Sequence, residues 1–105
     1  MAVKKQFSSF SELLSTAETP VLVDFYATWC GPCQMMAQVL EQAKDQLAGR
    51  VQIVKIDTDK YPRLASQYLI QGLPTLILFK NGEPIERIEG AMQTPQLVQH
   101  LNSLL

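Results

Sequence analysis

Little in this sequence could hold a metal or a nucleic acid. Two cysteines, Cys30 and Cys33, and one histidine, His100, are present in 105 residues. A closed structural zinc site takes four ligands, of which the cysteines supply half. His100 falls on the far face of the last helix, so the surviving metal reading is an ion shared between two molecules. Gln34, not a histidine, follows Cys33, which removes the haem-attachment pattern. An excess of one charge is missing too. The net charge is −1 with both signs interspersed, no footprint for a phosphate backbone. The longest apolar run is broken by Asp24 and is far too short to span a bilayer. The opening MAVKKQFSSF has two lysines but no apolar stretch behind them, unlike a secretory signal. The expectation is a soluble, cytoplasmic monomer, without nucleic acid or membrane among its partners.

With 47% hydrophobic and 18% charged residues, the composition is that of a globular chain, not a disordered one. Residues 1–105 read as one domain, long enough to close a core without staples. No repeat, low-complexity tract or linker divides them. SSFSELLSTAE opens with a capping box, Ser9 and Glu12, and puts Phe10, Leu13, Leu14 and Ala17 on one helical face. Residues 21–27 are apolar on both alternating faces, as in a strand covered on both sides. A helix over about 32–48 follows, with Met36, Val39, Leu40, Ala43 and Leu47 as its apolar stripe and Gly49 at its C′ position.

VQIVKID is a second strand, so strand, helix and strand make a parallel βαβ unit. Asp59 is placed to cap a third helix with Pro62 in its first turn, burying Leu64, Ala65 and Tyr68. TLILFK and EPIERIEG form a hairpin about Asn81-Gly82. Thr94-Pro95 opens a last helix that turns Leu97, Leu101, Leu104 and Leu105 inward. The fold class is α/β: a mixed sheet, parallel early and antiparallel late, with helices on both faces. Sites in open α/β sheets form beyond the C-terminal ends of strands, and WCGPC lies at such an end.

A staple is a weak reason for Cys30 and Cys33. A loop this short contributes roughly 2 kcal/mol in the chain-entropy account, and a domain of this size does not need it. A redox pair explains both spacing and position. Pro32 suits the first turn of a helix, which places Cys30 at its start, where unpaired N–H groups and the dipole favour an anion. An unperturbed thiol is about 3% thiolate at pH 7, so a lowered pKa raises its nucleophilic fraction several-fold. Cys33, three residues on, lies on the same face of the turn, within disulfide reach. Cys30 is therefore the attacking thiol, expected at an exposed position, and Cys33 the resolving one.

DFYATWCGPC, VKID, GLPT, LFKNGE and EGA occur in the order and spacing of the thioredoxin family, which the chain resembles over essentially its whole length. The resemblance implies the thioredoxin fold and a dithiol–disulfide oxidoreductase that reduces disulfides in target proteins. It needs no cofactor beyond the Cys30–Cys33 disulfide, and a separate thioredoxin reductase, NADPH- or ferredoxin-dependent, restores the dithiol. It puts Asp24 beneath the cysteines as the group assisting proton transfer at Cys33, with Lys55 as its charge partner. A buried strand carboxylate is costly, and its pKa should rise. Trp29, Gly31 and Pro32 form one part of a target-binding patch; Leu73 and a cis Pro74 form another, and Gly90 completes the groove.

Four positions depart from the best-known bacterial pattern. Tyr26 stands for a tryptophan, Gln34 for a lysine, Gln38 for a helix-kinking proline, and Glu89 for an apolar groove residue. FYATWCGPCQ, KIDTDKYP and EPIERIEGA look most like the y-type thioredoxins of cyanobacteria and chloroplasts. That likeness implies peroxiredoxins among the targets, and the chloroplast stroma as the location of a mature form. Two other readings compete: an oxidase or isomerase of the same chemistry, and a binding module in which the cysteines are incidental.

Overall fold

The computed structural model describes residues 10–105. Its elements are α1 (Phe10–Thr16), β1 (Val21–Tyr26), α2 (Gly31–Gln46), β2 (Gln52–Asp57), α3 (Pro62–Gln67), β3 (Thr75–Lys80), β4 (Glu83–Glu89) and α4 (Thr94–Asn102). The four strands form one sheet in the order β2-β1-β3-β4. β1 pairs with β2 in parallel and with β3 antiparallel. β3 and β4 form the antiparallel hairpin, with a bulge between Leu78 and Phe79. This is the mixed sheet expected from the sequence.

The continuous apolar character of β1 and β3 follows from burial on both sides of the sheet. Leu22 on β1 and Leu76 and Leu78 on β3 face a cluster with Met36 and Leu40 of α2, Leu47 just past its end, and Leu97 and Leu101 of α4. Their alternate neighbours Val21, Val23, Phe25, Ile77 and Phe79 face a second cluster, with Phe10, Leu14, Tyr61 and Leu64. Phe79 is edge-on to both Phe10 and Tyr68, the arrangement that ring quadrupoles favour. Each fully buried side chain of this size contributes about 1.5–3 kcal/mol relative to exposure.

The turns follow local chemistry. Asn81 and Gly82 both adopt positive φ, 54° and 82°, as a type I′ hairpin turn requires. Gly49, φ +79°, lies two residues past the Leu47 C-cap of α2, one position beyond the C′ place expected. α2 runs unbroken through Gln38. Leu104 and Leu105 lie beyond the end of α4 but pack against the core. Ala65 and Tyr68 are half-buried rather than buried. Ser9 of the expected capping box is outside the described residues. Asp59 does not cap α3, whose N-cap is Tyr61 with no side-chain cap bond; its carboxylate is engaged elsewhere. Among the described residues no helix is long and apolar enough to cross a membrane.

Candidate functional site

β1 ends at Tyr26, in the sheet's interior, and the chain turns through residues 27–29 into α2. Thr58, just past the end of β2, ties the two strand ends together: its N–H and its hydroxyl both donate to the Tyr26 carbonyl, at 2.9 and 3.1 Å. Because β1 and β2 are parallel, whatever follows either strand gathers at one end of the sheet. The cysteines lie there.

Cys30 is the N-cap of α2, extended at φ −90°, ψ 114°, with Pro32 in the first turn. The Cys33 N–H donates to Cys30 Sγ at 3.2 Å, so one of the helix's unpaired donors is aimed at that sulfur. The same donor and the helix dipole favour a thiolate at Cys30 when the pair is reduced. Cys30 and Cys33 form a disulfide with Cα atoms 5.2 Å apart. Cys30 was expected to be exposed and is 5% exposed, against 3% for Cys33. Ala27, Tyr26 and Leu73 pack around the pair. Trp29, just before Cys30, is exposed at 72%.

Asp24 lies in the middle of β1 and is completely buried. Neither carboxylate oxygen has a hydrogen-bond partner among the described residues. Burial pushes its pKa up to about 6, with the charge of Lys55 pulling the other way. Lys55 is the cross-strand neighbour of Asp24, as the charge-partner assignment needs. Its ammonium, however, stands over the Tyr26 ring, 5.0 Å from the centroid, and no ion pair joins it to Asp24 among the described residues. The pairing is therefore through space rather than by contact. The Tyr26 phenol is itself pushed up, by burial first and then by the charges of Asp57 and Asp24.

A groove of about 460 Å³ opens beside Cys30, with Trp29, Gly31 and Pro32 on one wall and Thr58, Ile70 and Leu73 among the residues of the other. The Leu73–Pro74 peptide is cis. The Gly90 N–H, from a residue at φ +91°, donates to the Pro74 carbonyl at 2.9 Å. Pro74 and Gly90 are thus joined to each other and, through Leu73, to the cysteine pair, though neither lines this groove. Glu89 is exposed next to Gly90.

Sequence reasoning missed Asp59. The Trp29 indole N–H donates to its Oδ2 at 2.9 Å, while the Asp59 N–H donates to Asp57 Oδ1 at 2.9 Å. The available signal was topological: Asp59 follows the parallel neighbour of β1 and so arrives at the same sheet end as Trp29. His100 sits against Glu86 of β4, at 2.5 Å. Among the described residues no three His, Cys, Asp or Glu side chains are grouped to hold a metal.

The thioredoxin family model matches residues 1–103. A thioredoxin-like protein of Synechocystis sp. is 63% identical over 101 residues, covering 96% of both chains. The chloroplastic thioredoxin Y of Oryza sativa is 55% identical over 99% of this chain, which spans 62% of that protein. The chloroplastic thioredoxin Y1 of Arabidopsis thaliana is 52% identical over 99% of this chain, which spans 60% of that protein. A disulfide across the first turn of a helix, at the end of a buried strand in this sheet, is what that kinship leads one to look for, and the chain belongs to the thioredoxin family of thiol–disulfide oxidoreductases.

Proposed function

We propose that the chain works as a protein-disulfide reductase, as one thioredoxin domain over residues 1–105, with Cys30 as nucleophile and Cys33 as resolving thiol. The observation that carries the assignment is the Cys33 N–H directed at Cys30 Sγ, which favours negative charge on that sulfur and none on Cys33. The Cys30 thiolate attacks one sulfur of a target disulfide; a Cys30–target bond forms, the target bond breaks, and the departing target sulfur takes a proton. Asp24 receives the Cys33 proton, through water, and the Cys33 thiolate attacks Cys30 Sγ. The Cys30–Cys33 disulfide forms, the mixed disulfide breaks, and the second target sulfur leaves reduced. Two electrons have passed from the dithiol to the target.

Asp24 suits this task because a pKa of about 6 lies close to neutrality, where a general base is most effective. Lys55 keeps that value from rising further. Trp29, Gly31, Pro32 and Leu73 offer an apolar groove beside the nucleophile. The Leu73 backbone, beside the cis Pro74, is the edge with which an extended target segment would pair, and Gly90 completes the groove. The Gly-Pro between the cysteines resembles the reducing members of the family rather than its oxidases or isomerases.

The likeness to the y-type proteins supports peroxiredoxins as a target class, a thioredoxin reductase as electron source, and a cytoplasmic or stromal location. No resident cofactor is required, and the chain acts as a monomer.

Trapping tests the reading. Cys33→Ser halts the reaction at the mixed disulfide, so incubation with an oxidised peroxiredoxin should give a covalent adduct that dithiothreitol releases. Absence of any adduct, with Cys30 still titrating as a free thiol, refutes the assignment of Cys30. Cys30→Ser abolishes disulfide reduction, whereas a mere binding module would retain its partner.

A further inference from the structure

The buried Asp24 carboxylate depends on a lysine that does not touch it. The strand register sets Lys55 opposite Asp24 and Asp57 opposite Tyr26. Residues two apart on a strand share a face, so these four side chains form a square across the β1–β2 seam. Lys55 is an exposed side chain on the strand that is outermost among the described residues, and two carboxylates, Asp24 and Asp57, are within its square. It pairs with neither among the described residues. Its ammonium is instead 5.0 Å from the centroid of the Tyr26 ring, within the range where a ring face attracts a cation. Tyr26 also packs against the cluster of Ala27, Cys30 and Cys33. The ring is thus fixed by the active site and in turn offers Lys55 a fixed seat.

We infer that Tyr26 is a positioning residue: its ring holds the Lys55 ammonium at the seam, where the charge acts on the Asp24 carboxylate instead of turning to Asp57 or to solvent. Its functional meaning rests on the proton-transfer reading of Asp24. The titratable groups that the strand register sets around Asp24 are Tyr26 on β1 and Lys55 and Asp57 on β2; the Cys30–Cys33 pair packs against Tyr26. β3 presents none, since Leu76 is its residue opposite Asp24. Burial raises the proton affinity of Asp24 and Lys55 lowers it, so releasing the lysine should raise it. An aliphatic side chain at 26 also changes how much water reaches Asp24, and that effect must be separated from loss of the seat.

A double-mutant cycle separates them, with the Asp24 midpoint read directly from its carboxyl ¹³C shift in the oxidised protein, where the cysteines do not titrate. Tyr26→Leu is measured in the parent and in Lys55→Met; the second background carries only the solvent effect. The expected result is a coupling of about half a pH unit, the Tyr26→Leu midpoint lying higher in the parent background, as loss of an exposed cation–ring contact implies. Tyr26→Phe keeps the ring and should keep the parent midpoint. Equal shifts in both backgrounds, or a Tyr26→Phe shift as large as that of Tyr26→Leu, overturn the inference. If Tyr26→Leu does not fold, Tyr26→Met takes its place in the cycle. The readout is a titration, not activity. Unchanged exchange in Asp24→Asn removes the proton-transfer reading and leaves the coupling standing, whereas zero coupling removes only the role of Tyr26.

Discussion

Replacing Asp24 by asparagine removes a buried charge while keeping its shape, and the size of the response follows from the site. The carboxylate has an ordinary pKa of 3.8 when the chain is unfolded and about 6 in the fold. Between those values the folded state binds more protons than the unfolded state, so stability is full below pH 3.8 and is lost as pH rises through about 6. The difference corresponds to about 3 kcal/mol above neutrality, a large share of the 5–15 kcal/mol typical of a domain. Asparagine cannot ionise, but its amide meets the same lack of partners, which costs about 1 kcal/mol at either pH.

The variant should therefore be about 2 kcal/mol more stable than the parent at pH 8 and slightly less stable at pH 4. Urea unfolding of the oxidised protein at the two pH values is the assay. The midpoint at pH 8 should shift upward by about 1 M. A stability difference that is the same at both values would show that the carboxylate is not buried in its charged form, and the linkage reasoning would be wrong. If Asp24 accepts the Cys33 proton as proposed, the same substitution should slow disulfide reduction near neutral pH in the reduced protein.

Other substitutions probe separate parts of the site and fold. Glu89→Val removes an exposed carboxylate beside Gly90 and should speed reduction of acidic targets selectively; coincident rate profiles across targets of different charge would sink this. Asp59→Ala frees the Trp29 indole from its acceptor. Steady-state fluorescence anisotropy of this single tryptophan should fall and KM for protein targets rise about fivefold, the equivalent of one hydrogen bond; unchanged values for both would detach Asp59 from the contact surface. Phe79→Ala empties a fully buried position between Phe10 and Tyr68 and should lower unfolding free energy by about 3–5 kcal/mol; a loss under 1 kcal/mol would mean the aromatic cluster collapses to fill the space.

What was legible in the sequence was local. The run through β1, the Pro32 helix start and the Asn81-Gly82 turn each rest on residues within one turn or strand of one another. The parallel unit followed from them, and with it the end of the sheet where the site lies. The seat of Lys55 was not legible, because it depends on where a flexible four-carbon stem comes to rest, not on strand register. Asp59 had two local uses open to it, and the choice of Trp29 over α3 was made by strand topology across 30 positions of chain. The cis Leu73–Pro74 bond was legible only through the family resemblance, since an X–Pro pair by itself seldom adopts that isomer. The burial of Cys30 was not legible because helix N-termini are usually at the surface, while Ala27, Tyr26 and Leu73 pack around this one.

The recessed sulfur has a consequence for which bridges the molecule can open. Cys30 shows only 5% of its surface to solvent while Trp29 beside it protrudes. Thiol–disulfide exchange depends on access and on which sulfur is struck, so a bridge must be brought down to the nucleophile. Disulfides on protruding, pliable loops can make that approach; those locked inside a folded domain cannot. Access alone would then leave the bridges inside other folded domains intact, whatever the driving force for exchange.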